Sequence, residues 1–349
     1  MKFGLVNAHW INRPEDITLH FRDFSKRDHW RDPSSHPPIS WHSFAAMMKG
    51  EHLPIPERDW EERILTYDFV ILTALDVPSS LIEIVKRMRR QGIVVAGAFV
   101  EGISSFLYLC RDLGYLLSFK RFMEECNFFL NATHHSYNRF FKEIGAVPIE
   151  YLHFGYPYRY GLELQKRRDR REGILIGTRG FSPTPVLRRN TLISLLIASR
   201  MAKRYNTHVT LILEDQYPVQ DLFSHMDLPN VKIRFHRDYY NWLSLISRHR
   251  VVLNYDFTSA VGQIAADCGM VNVPCVGGNG DFSRIIWPDL AYEVQDLDII
   301  CEIIERLFED ERFYASICEK ADRIMREEVD FPVVKKRLED LYMKYAPNT

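Results

Sequence analysis

Apolar residues run along this chain in two alternating textures. Short, nearly unbroken runs of Val, Ile, Leu and Phe occur at 3–7, 69–73, 93–98, 128–131 and 149–153, and again at 174–177, 209–213, 231–235, 251–254, 274–276 and 291–294. Unbroken runs of this kind predict strands covered on both faces, as in a parallel sheet. Between them apolar positions recur at helical spacing, most clearly over 79–90, 186–204 and 299–308, which predicts amphipathic helices. Strand and helix in alternation predict an α/β fold, and two such series predict two doubly wound, Rossmann-like domains.

The two series part at residues 154–173, FGYPYRYGLELQKRRDRREG, where Pro, Gly and tyrosines give way to a run of charge. That stretch reads as a hinge between an N-terminal domain, 1–157, and a C-terminal domain, 158–349. Residues 12–60 fit neither texture. They are rich in His, Pro, Trp and Asp with little periodicity, and a long loop inside a compact domain is often functional. Near the end, Val333, Val334, Leu338, Leu341 and Tyr342 make one apolar stripe. The terminal helices are therefore expected to pack on something, with the N-terminal domain as one choice.

Composition narrows the class. The 349 residues are 46% hydrophobic and 26% charged, which suits a globular chain with room for two cores. No apolar stretch approaches the roughly 18 residues of a membrane span, and the opening MKFGLVNAHW is too short for a signal peptide. The six cysteines show no C-x-x-C pair, so buried free thiols in a reducing compartment are expected. Together these predict a cytoplasmic protein. A formal net charge of −1 gives no overall footprint for nucleic acid. The basic runs at 86–90 and 166–171 are local, and a solvated helix end explains them more simply than a partner does.

Candidate chemistry gathers at the carboxyl ends of the second series, where open α/β sheets bind ligands. Its first strand ends GILIGTRGFSPTP and the next helix begins VLRRN. Gly177 and Gly180 permit close backbone approach there, while Arg179, Arg188 and Arg189 near a helix start suit a diphosphate. Further on, TSAVGQIAADCGMVNVPCVGG reads as a helix with Ser259 as N-cap and Val261, Ile264, Ala265 and Cys268 on one face. A buried strand and a Gly-Gly turn follow. The amides at 259–262 would face a phosphate. Asp267 sits late in that helix, and a helix-end acid pairing with a neighbour is one reading of it.

This stretch resembles the nucleotide-binding domain of the GT-B glycosyltransferases, particularly the large group-one family with its motif E-x-F-G-x-x-x-x-E-A-x-x-x-G-x-P. Gly262, Asp267 and Pro274 match the motif, while Ser259 stands at the first acid and Asn272 at the later glycine. The glycine-rich loop after the first N-terminal strand is replaced by NAHWINRPED. The resemblance implies two domains facing each other across a cleft, with a nucleotide-sugar donor in the second. It places the ribose on Asp267 and the diphosphate on Arg179 with Arg188 or Arg189. The loop 277–281, with Gly278 and Asn279, would meet the donor sugar. The implied reaction is transfer of a hexosyl group to a hydroxyl on a glycan, a lipid-linked carrier or a small molecule, without a metal or other cofactor. Peripheral membrane contact is compatible with it.

The first domain would supply the acceptor site. Glu101, in VVAGAFVEGIS, ends a buried strand and is the candidate base; capping the next helix is the alternative. His9, His134 and His135 stand at equivalent edges and read as structural hydrogen-bonders. His20, His29, His36 and His42 lack zinc-ligand spacing, and Asp296-Leu297-Asp298 reads as a helix cap, so no metal site is expected. Rival readings are a sugar-nucleotide epimerase or hydrolase of the same fold, and a binding protein that keeps the nucleotide pocket without turnover. Transfer onto a nucleic-acid base is disfavoured by the near-neutral charge.

Overall fold

The computed structural model describes residues 1–8, 21–25, 38–55, 59–75, 77–99, 103–165, 170–179, 190–213, 230–235, 238–256, 261–292 and 297–347; for 103, 104, 178, 179, 213 and 235 it describes the backbone alone. The chain forms two compact units, Met1–Tyr156 with Val329–Thr349, and Pro157–Glu328. The sequence reading ran the second domain to 349 and allowed its terminal helices to pack back on the first; the segment Val329–Thr349 groups with the first unit.

The first unit is built on a seven-stranded sheet of order β2-β3-β1-β4-β5-β6-β7. Its strands are β1 (Phe3–Ala8), β2 (Arg22–Asp23), β3 (Glu51–Pro54), β4 (Phe69–Ala74), β5 (Val94–Phe99), β6 (Phe128–Asn131) and β7 (Ile149–Tyr151). All pairings are parallel except β2 on β3. Every residue of β4 and of β5 is buried, which is why these strands carry no polar alternation.

The helices Ser79–Arg90 and Leu113–Glu125 bury one stripe each, Leu81, Ile84, Val85 and Met88 in the first and Phe119, Phe122 and Met123 in the second. Phe106 packs edge-to-face on Phe99, Phe119 and Phe141 at 4.7–5.6 Å, adding orientation-dependent attraction to burial. The closing helix Phe331–Tyr345 is capped by Asp330, has Pro in its first turn, and buries Val334 and Leu338. Its Tyr342 and Tyr345 rings reach Phe69 and Phe128.

The segment 12–60 is corrected by structure within it. Besides β2 and β3 it contains the helix Trp41–Met48, in which Trp41, His42, Ser43, Phe44, Ala45 and Met47 are all buried. A helix buried nearly all round has no polar face, so no helical period shows in its sequence.

The second unit has a five-stranded, wholly parallel sheet of order β10-β9-β8-β11-β12. The strands are β8 (Ile174–Arg179), β9 (Val209–Leu213), β10 (Val231–Phe235), β11 (Val251–Leu253) and β12 (Cys275–Val276). The strand expected at 291–294 is absent over Ala291 and Tyr292, which are irregular; the rest lies outside the described residues. Gly161 brings the helix Tyr158–Gln165 onto the helix Gln263–Val271. A Cβ there would lie 2.1 Å from the Met270 carbonyl oxygen, so any other residue would force the helices apart.

Candidate functional site

The second sheet changes its direction of growth beside β8: β9 and β10 add on one side, β11 and β12 on the other. Ligands of open parallel sheets bind beyond the carboxyl ends of such a pair. β8 ends with Gly177 and, by its backbone, Arg179. A Cβ on Gly177 would fall 2.8 Å from Ile264 Cγ2 and 3.5 Å from Asn254 Cβ, so this glycine lets the Gln263–Val271 helix close on the strand. After β11 the Asp256 N–H donates to the Asn254 carbonyl at 2.8 Å. After β12 the chain turns through Gly277 and Gly278 at φ 84° and 86°, backbone that residues with a Cβ avoid. The Asn279 N–H ties this turn to the Asp256 carbonyl, and the Phe282 N–H donates to the Val261 carbonyl, each at 3.0 Å.

Among the described residues, two side chains at this rim hold buried oxygens without a hydrogen-bond partner, Asn254 Oδ1 and Ser283 Oγ. The residues are 3% and 1% exposed. A buried unpaired oxygen costs about 1–3 kcal/mol, a cost that a ligand bonding there removes. Ser283 Oγ faces Gly278, whose Cβ would lie 2.9 Å from it, and the Asn254 carboxamide meets the same glycine through its Nδ2 at 3.3 Å. The Gln263–Val271 helix begins beside them. Gly262 is its N-cap, in the left-handed region at φ 75°, and a Cβ on it would lie 3.3 Å from Gly280 Cα. The first intrahelical bond runs from the Ala265 N–H to the Gly262 carbonyl at 3.0 Å. The Gln263 and Ile264 amides therefore stand ahead of the helical ladder, at the positive end of its dipole. Such a rim can hold an anion on its amides.

Gly177, Gly262, Gly278 and Asn279 thus come together with the backbone of Arg179. The Asn279 carboxamide oxygen already accepts from Arg284 Nε at 2.8 Å. Gly262, not Ser259, caps the helix; Ser259 itself, with Glu101, Arg188, Arg189 and His9, lies outside the described residues. Asp267 does not join the rim. It is 3% exposed, and its two carboxylate oxygens accept from the Tyr239 hydroxyl at 2.6 Å and the Trp242 indole N–H at 2.8 Å. The role of ribose anchor is therefore corrected to that of a clamp between two helices, Gln263–Val271 and Tyr239–Ile246. In the first unit His134 is buried and its Nδ1 lies 2.6 Å from Ser136 Oγ, the structural role expected of it. Asn254 and Ser283 were missed. Asn254 had a signal, as the polar end of an apolar strand; Ser283 had none.

No family model matches the sequence, and no curated protein matches it. Solved structures do match. HepE from Anabaena, in complex with UDP and glucose, aligns at a TM-score of 0.65 with 11% identity, over 98% of this chain and 99% of that one. A glycosyltransferase from Rickettsia africae aligns at 0.65 with 10% identity over 100% of both chains. The α,α-trehalose 6-phosphate synthase of Burkholderia multivorans aligns at 0.61 with 8% identity, over 99% and 98%. These are GT-B glycosyltransferases, and what the likeness establishes is that this chain has their fold.

Proposed function

We propose that this protein transfers a hexosyl group from a nucleotide-sugar donor to a hydroxyl acceptor. One observation carries the reading: the buried Asn254 Oδ1 and Ser283 Oγ, without a partner among the described residues, lie beside a glycine turn and a helix N-terminus, at the switch point of a GT-B sheet. HepE, which shares the fold, was solved with UDP and glucose, and this supports a nucleoside diphosphate as the donor's leaving group. In the reaction the bond from the sugar's anomeric carbon to the diphosphate breaks and a bond to the acceptor oxygen forms, while the acceptor's proton passes to a base. Amides of the 263–264 turn, with Arg179 and either Arg188 or Arg189, would balance charge as it builds on the departing diphosphate. No metal is needed on this reading. Glu101 remains the proposed base; the acceptor would be a glycan, a lipid-linked carrier or a small molecule.

Calorimetry with UDP, GDP and ADP hexoses tests it. Ser283→Ala and Asn254→Ala should each weaken the preferred donor about tenfold or more, the worth of a hydrogen bond to a charged group. Ser283→Ala should leave the melting temperature of the free protein unchanged or raised, because it removes an oxygen that has no partner. Unchanged affinity in both variants would overturn the assignment. Donor consumed without any acceptor would move the reading to an epimerase or hydrolase.

A further inference from the structure

The rim of the second sheet is assembled from pieces that lie apart in the chain, and a buried tryptophan ties them together. Trp287 is the C-cap of the short helix Asp281–Ile286 and is 1% exposed. Its indole N–H donates to the Ala265 carbonyl at 2.9 Å. Its backbone N–H donates to the Ser283 carbonyl at 3.1 Å, and its own carbonyl accepts from the Leu290 N–H at 2.9 Å. The Leu290 carbonyl in turn accepts from the Gly277 N–H at 2.8 Å. Trp287 is thus bonded to the Gln263–Val271 helix and to Ser283 directly, and to the glycine turn through Leu290.

The bond to Ala265 is the one that needs this residue type. The backbone bonds form with other residues at 287, whereas the third requires the indole N–H, which a buried tryptophan must satisfy. Ala265 stands in the first turn of its helix, and its own N–H donates to the Gly262 carbonyl at 3.0 Å. The Gln263 and Ile264 amides lie in the chain between these two fixed residues. With planar peptides and two soft dihedrals per residue, the direction of those amides follows from where Ala265 is held.

Packing keeps the tryptophan in place. A Cβ on Gly269 would fall 3.3 Å from Ile286 Cγ2, so this glycine lets the Asp281–Ile286 helix lie against the Gln263–Val271 helix. Phe282 and Ile286 are buried on the same short helix. The other indole bonded to the Gln263–Val271 helix, that of Trp242, reaches Asp267 and so holds its later part. Trp287 holds its beginning.

We propose that Trp287 is the positioning residue of the phosphate-binding rim. Its indole N–H, seated on Ala265, sets the spacing between the Gln263 and Ile264 amides and the Ser283 hydroxyl, and through that spacing the grip on a diphosphate. This rests on the donor site proposed for the rim. Trp287 is buried and acts through Ala265 and Ser283. A tryptophan that only filled the core would change stability and leave the affinity of the folded protein alone. One that positions the rim changes both, because a binding site loses affinity when its supporting residues let it loosen.

Trp287→Phe tests the role, since phenylalanine keeps an aromatic ring in the core and removes the N–H. Calorimetry with UDP, GDP and ADP should show that the wild type binds one of them. Trp287→Phe should bind that nucleotide about tenfold more weakly. At saturation, the phosphorus NMR shift of the bound diphosphate should move back toward its free value in the variant. Trp287→benzothienylalanine keeps the shape of the indole and lacks its N–H; it should show the same loss, and it serves if phenylalanine perturbs folding. Leu307→Ala controls for stability alone. Leu307 is fully buried at the amino end of the sheet, where its carbonyl accepts at 2.8 Å from Arg250, the residue before β11. That variant should lower the melting temperature at least as far as Trp287→Phe does and bind the nucleotide as wild type. A wild type that binds none of the three nucleotides overturns the donor site and this role with it. Wild-type binding that both Trp287 variants preserve, or that Leu307→Ala weakens equally, overturns the role of Trp287 alone.

Discussion

Asp267 accepts from Tyr239 and Trp242 in a place water does not reach. Removing the carboxylate leaves a buried hydroxyl and a buried indole N–H without that acceptor, at about 1–3 kcal/mol each. Asp267→Ala should therefore lower stability by about 2–6 kcal/mol, read from denaturant unfolding, while the folded fraction binds nucleotide as wild type. Loss of donor affinity at unchanged stability would restore the ribose role. His249 gives a second test at this scale. Its Nε2 lies 2.8 Å from Thr210 Oγ1 and its Nδ1 2.8 Å from the Leu245 carbonyl, and burial pushes its pKa down to about 4. Burial also lowers the neighbouring His208. The unfolded chain takes up these protons near the ordinary value of about 6.5. Between about 6.5 and about 4 the unfolded state thus binds more protons, and stability falls as pH falls through that window. His249 alone accounts for about 3 kcal/mol of that loss, and His249→Gln should flatten the slope. An identical pH profile in the variant would contradict the assignment.

Among the elements, the helix Phe331–Tyr345 shows most clearly how the first unit is completed. Its Leu338 is fully buried and its Tyr345 ring stacks 4.5 Å from Phe128, while Met343 is 70% exposed. Leu338→Ala should cost about 2–5 kcal/mol in chemical denaturation and Met343→Ala less than about 0.5. Equal costs would mean the helix is not packed as described. The stripe at 333–342 announced this helix because one face is apolar and the other polar. The strands β4 and β5 were equally legible, since burial on both faces leaves an unbroken apolar run. The helix Trp41–Met48 was not, because burial all round erases the period. At the site, Gly277 and Gly278 were visible as punctuation between a strand and a helix. Asp267 misled because a motif register fixes spacing along the chain, whereas the face of the helix decides what a carboxylate meets. Ser283 had no sequence signal, since only the folded turn buries it.

For the molecule as a whole, two Rossmann-like units are joined in one GT-B chain. The second holds the start of the Gln263–Val271 helix beside the buried Asn254 and Ser283 oxygens, which have no partner among the described residues. A donor site confined to the second unit has a direct signature in amide exchange, because ligand contact slows opening where it binds and stabilises the native state that binds it. The decisive measurement is hydrogen–deuterium exchange of the full chain with and without saturating UDP, GDP or ADP. One of the three should slow exchange in peptides covering 254–256, 262–266 and 277–283 and leave the amides of β1, β4 and β5 unchanged. No slowing with any nucleotide, or slowing only in the first unit's sheet, would contradict a nucleotide-sugar site at this rim.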